Sequence, residues 1–124
     1  MRTRHKAVLA LLAIVFAAAV TEPYTKLFHR MADVLIYNNY RHYLPCSDLP
    51  EFGKVEDIVA QHPEAIEQIE SLSPGNIEVV IDSMTCPGKA SIIIYYASAE
   101  ERERIDEMLP DETFFGVPIS LINR

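Results

Sequence analysis

Glycine is scarce in this chain: the four glycines among 124 residues, Gly53, Gly75, Gly88 and Gly116, each stand where the flanking sequence reads as a turn. That leaves no glycine-rich loop to cradle a phosphate, and neither a G-x-S-x-G elbow nor an H-E-x-x-H pair is present. The alternating oxygen ligands and glycine bend of a calcium loop are missing too. Of four histidines, His5 lies in the basic head, so a histidine metal site would need His29, His42 and His62 to converge from separate segments. No metal or other cofactor is expected. Cysteine occurs twice, at Cys46 and Cys86, too few for a Cys/His zinc cage and too far apart for a C-x-x-C redox pair. The pair reads as a structural disulfide of a small exported domain, worth about 3 to 4 kcal/mol through loop closure.

Long apolar runs are also lacking, except at the N-terminus. Residues 7–20 are apolar throughout and follow Arg2, Arg4, His5 and Lys6. Fourteen residues suit the core of a secretory signal and fall short of the ~20 that cross a bilayer. Ala17 and Ala19 give the small-x-small pattern of a cleavage site. Residues 1–19 are therefore predicted to be a signal peptide or short membrane anchor, and residues 20–124 a single α+β domain. The expected location is secreted, periplasmic or cell-surface, anchored by residues 7–20 where the signal stays uncut.

Positive charge is the third shortage. Without residues 1–19 the chain keeps 8 basic against 18 acidic residues, a net charge of −10. Such a domain repels phosphate backbones, which excludes nucleic acid as a partner. It leaves membrane contact only to the N-terminal apolar segment.

What is present is a hairpin. Residues 76–84 and 90–97 are two β-branched, aromatic-rich runs about a Pro-Gly turn. Ile77, Val79 and Ile81 alternate with Glu78, Val80 and Asp82, whereas Ile92, Ile94 and Tyr96 oppose Ile93 and Tyr95, making the second run apolar on both faces. Before the hairpin, Tyr24, Leu27, Phe28, Met31, Val34 and Leu35 mark one helical face opposite Lys26, Arg30 and Asp33, with Pro23 at its start, Thr21 as a cap, and Asn38-Asn39 weakening its end. Residues 44–53 read as a loop, and residues 54–61 and 63–72 as two short helices parted by His62-Pro63. After the hairpin, Ser98 and Glu101 form a capping box for a helix that Pro110 stops. Residues 117–122 supply a last strand, which Pro118 assigns to an edge. The expected fold is a two-layer α+β sandwich with a small, mostly antiparallel three-stranded sheet in a β-β-α-β order, the first hairpin strand in the middle.

Candidate binding residues fall into two groups. Tyr37, Tyr40 and Tyr43 recur every third residue, a stripe that docks on a partner if helical and otherwise packs on the hairpin. Val80, Ile93 and Tyr95, edged by Glu78 and Asp82, form an apolar strip on the sheet face away from the helices, suited to docking or to a homodimer seam. Acid–base chemistry has only weak candidates in Asp48, Glu51 and His62, or Asp82 beside Ser83, and no catalytic residue is assigned. The sequence thus points to an exported or membrane-tethered, non-catalytic binding or accessory domain whose partner is another protein or itself. Two alternatives stay open: a small secreted enzyme or inhibitor using loop 44–53, and a structural homo-oligomer joined along residues 117–122.

Overall fold

The computed structural model describes the backbone of residues 2–124 and the side chains of residues 3–21 and 26–124. The chain opens with helix α1, Arg2–Thr25, and then α2, Leu27–Ala32, which runs into a π-helical turn, Asp33–Tyr37. Lys26 stands between the two helices in the left-handed region, at φ 49°. The second helix therefore begins after Lys26 and not at Pro23. Thr21 is no cap but a member of α1, its hydroxyl donating to the carbonyls of Ala17 and Ala18 at 3.0 and 3.1 Å. The place of the Tyr24 ring on the apolar face lies outside the described residues.

Asn38 ends the turn in the left-handed conformation, φ 52°, a position that the short Asn side chain tolerates. Helices α3, Phe52–Gln61, and α4, Pro63–Glu70, follow, with Pro63 at the first position of α4, where its missing N–H costs nothing. Strands β1, Glu78–Asp82, and β2, Ser91–Tyr96, form the hairpin; α5, Ala99–Met108, leads to β3, Thr113–Phe114, and β4, Val117–Asn123. The capping box forms as the sequence predicts: the Glu101 N–H donates to Ser98 Oγ at 3.2 Å, and the Ala97 N–H to Glu101 Oε2 at 2.7 Å.

The fold is α+β, but the sheet has four strands and is mixed, in the order β1-β2-β4-β3. Strand β2 takes the middle position expected of β1, pairing antiparallel with β1 and parallel with β4. The physical reason is visible in β2 itself, since a strand apolar on both faces belongs inside a sheet. Strand β4 lies between β2 and β3, the short β3 pairing only with Val117 and Pro118 of the stretch 117–122 that the homo-oligomer alternative invokes. Pro118 faces Thr113 of β3, one residue before the register with β2 begins at Ile119. Between β3 and β4 the chain turns on Phe115 and Gly116, at φ 49° and 87°. Two consecutive positive φ values make a type I′ hairpin turn. Gly116 marks the turn in the sequence, but a bulky residue at the first of the two positions conceals its type, and β3 with it.

Ile92, Ile94 and Tyr96 of β2, with Ile119 and Leu121 of β4, meet Val55, Ile69 and Ile105 of the helices in one buried cluster. Helices α3, α4 and α5 thus cover a single face of the sheet. Cys46 and Cys86 are joined, their Cα atoms 5.5 Å apart.

Candidate functional site

The opposite face of the sheet carries the strip predicted from sequence. Register places Val80 beside Ile93, Glu78 beside Tyr95, Ile93 beside Ser120 and Tyr95 beside Ile122. Val80, Ile93, Tyr95 and Ile122 are all half-buried, and none belongs to the core cluster. Ile122 escapes a sequence reading because only the β2–β4 pairing brings it to the strip. At one end the Arg124 guanidinium lies over the Tyr95 ring, 4.5 Å from its centroid, and pairs with Glu78 at 2.8 Å.

From the outer side of β4 the chain then passes toward the far end of β1. Tyr40 pairs with Leu121 on the far side of β4, exchanging hydrogen bonds of 2.8 and 2.7 Å, and Asn39 Oδ1 accepts the Asn123 N–H at 2.7 Å. Six residues later Cys46 is bonded to Cys86, beyond the end of β1. His42, on the way, interacts electrostatically with Asp82, whose side chain points to this face. On this face Ser91 and Ser120 are buried, whereas Tyr95 and Ile122 keep partial exposure.

The Asp82 carboxylate accepts from the Thr85 hydroxyl at 2.7 Å and from the Met84 and Thr85 amides at 3.1 and 3.2 Å. Burial pushes its pKa up, but these hydrogen bonds and the nearby His42 outweigh burial and hold it below the ordinary carboxylate range. It is a turn-forming carboxylate with its lone pairs engaged, unsuited to taking a proton. Of the other acid–base candidates, Glu51 pairs with Lys89 at 2.8 Å, His62 stacks face to face on Phe115 at 3.5 Å, and Asp48 is exposed in the loop. Among the described residues no three His, Cys, Asp or Glu side chains gather as a metal cage. Loop 44–53 holds a 3-10 turn, Cys46–Asp48, and is laced to the β1–β2 turn through Ala90 N–H to the Pro50 carbonyl and Phe52 N–H to the Gly88 carbonyl. Most of the loop is exposed, but it is held at Pro50 and Phe52 and folded into a turn at Cys46–Asp48 rather than running extended throughout.

The three tyrosines do not form a helical stripe, because the helix ends at Tyr37. Tyr37 is exposed. Tyr40 packs against the core, and burial, aided by a hydrogen bond to Glu112, pushes its pKa up to about 12. Tyr43 lies under Arg30, 4.9 Å from its ring centroid, and donates to the Asp33 carboxylate; burial and that bond push it up to about 12 as well.

Beside β1 the surface continues into an open groove of about 700 Å³ whose walls include Glu67, Glu70 and Glu78. The strip is thus an apolar band bordered by acidic groups. No protein-family model, curated protein or solved structure matches this chain, so its function has to be read from its own residues.

Proposed function

We propose that this protein is an exported domain, released by cleavage near Ala19 or held at the membrane by α1, that acts by protein contact through the helix-free face of its sheet. The observation that carries the proposal is the row of Val80, Ile93, Tyr95 and Ile122, adjacent in register and half-exposed where no helix covers them. A disulfide in an oxidising compartment and a basic head ahead of an apolar helix support export. The acidic border favours a protein partner with an apolar centre and a basic rim.

Ile93→Asp with Tyr95→Asp tests the reading. The double variant should stay folded, with stability within about 1 kcal/mol of the parent as surface changes allow, while a photoreactive residue at Ile93 crosslinks a discrete protein in the native membrane. Competition by the parent domain should remove that adduct and the double variant should not. Unfolding of the double variant would show the strip to be core, and an adduct of exactly twice the chain mass would make the partner a second copy.

A further inference from the structure

We infer that residues 31–37 lie in the interface of a lipid bilayer, with Val34, Leu35 and Ile36 in the acyl boundary and Tyr37 at headgroup depth. This rests on the tethered form of the proposal above. Helix α1 continues the 14-residue apolar run on both sides, so that Thr3–Thr21, with Arg4, His5 and Lys6 at its start, is 19 residues long, has a mean hydropathy of 1.7 and is nowhere buried in the protein. At ~1.5 Å per residue it measures roughly 28 Å, the thickness of a hydrocarbon core. The chain then bends at Lys26, and the next helical stretch has its polarity inverted. Leu35 and Ile36 are 74% and 72% exposed, and Met31, Val34 and Tyr37 are exposed as well. Asp33, by contrast, is turned inward, its side chain 16% exposed beside Arg41 at 3.7 Å. A helix on a water-soluble surface does the reverse. Apolar side chains outward and a carboxylate inward suit a helix whose surroundings are lipid.

Charge distribution selects the same occupant. Residues 26–43 hold Lys26, Arg30 and Arg41 against Asp33 alone, whereas residues 48–124 hold 5 basic and 16 acidic residues. A basic collar beside the apolar patch, with tyrosine at its border, matches headgroup chemistry. The acidic remainder is repelled from an anionic surface. The patch therefore commits to a bilayer rather than to a second copy of this chain.

The chain has no tryptophan, so one introduced indole reports alone. Leu35→Trp, Leu12→Trp in the apolar helix and Met84→Trp at an exposed turn would each be placed, in the full chain, in phosphatidylcholine–phosphatidylglycerol vesicles containing brominated acyl chains. Leu35→Trp should emit to the blue of Met84→Trp and be quenched roughly twofold or more by bromine near the glycerol. Leu12→Trp should respond most to bromine near the chain end, and Met84→Trp to neither. If Leu12→Trp is quenched while Leu35→Trp behaves like Met84→Trp, the inference fails and the tether stands. A blue-shifted Leu35→Trp that no bromolipid quenches would mean that protein covers the patch, which also overturns it. If Leu12→Trp is unquenched, the tether itself fails.

Discussion

His42 shows how much a single residue carries in the segment between Tyr40 and Cys46. Its Nδ1 accepts the Leu44 N–H at 3.0 Å, and burial lowers its pKa from the ordinary 6.5, with Asp82 opposing the shift and Arg41 adding to it. The folded protein thus binds this proton less readily than the unfolded chain, so stability rises with pH through the window just below 6.5 and is lost as pH falls through the folded value. His42→Gln should flatten that slope when urea midpoints are measured across the window, and should weaken without abolishing the acid loss tied to Asp82, which lies below 3.8, because the Thr85 and Met84 hydrogen bonds remain when the His42 charge is gone. A lone histidine such as His42 reads from sequence as a surface residue or a local hydrogen-bond partner; in the structure it is half-buried and accepts the Leu44 N–H. The inward turn of Asp33 is not legible, since periodicity shows which residues share a helical face but not which side meets solvent.

Among the elements, those defined by their own residues are the legible ones. The α5 cap follows from Ser98 and Glu101, the break between α3 and α4 from Pro63, and the helix stop from Asn38. Ser98→Ala should cost about 1 kcal/mol, read as a lower urea midpoint with an unchanged slope, because the Glu101 amide loses its acceptor. Strand order is less legible because pairing is decided between segments distant in sequence. Ile93 and Tyr95 nevertheless make β2 apolar on both faces, and weighing that above Pro118 gives β2 its interior place. Strand β3 is illegible for another reason: Phe115 keeps its left-handed backbone while packed on His62 and Phe114, the latter ring 4.9 Å away, a tertiary contact that no local motif announces.

At the scale of the whole molecule, one covalent bond ties the segment that follows Tyr40 to the β1–β2 turn. The Cys46–Cys86 bridge closes a separation of 40 residues, and replacing both cysteines by alanine should lower stability by about 3 to 4 kcal/mol. Thermal unfolding with and without reductant checks this: the parent should drop on reduction, and the double variant should be indifferent to it. Because residues 41–45 run between Tyr40 and that bridge, its loss should also loosen the pairing of Tyr40 with Leu121, seen as faster amide exchange in β4 than in the hairpin.

The same bond limits mechanical slack. A pull between the bilayer and a partner seated on the strip would first strip Asn39 and Tyr40 from the edge of β4, after which residues 39–46 could pay out at most roughly 30 Å, at ~3.5 Å per residue. From Cys46 onward the load would pass through sulfur into the strand-connecting turn, sparing the helices behind it. In the tethered form proposed above, the domain would be leashed at a fixed radius, and tension along the leash would reach the proposed docking face without having to unravel the core.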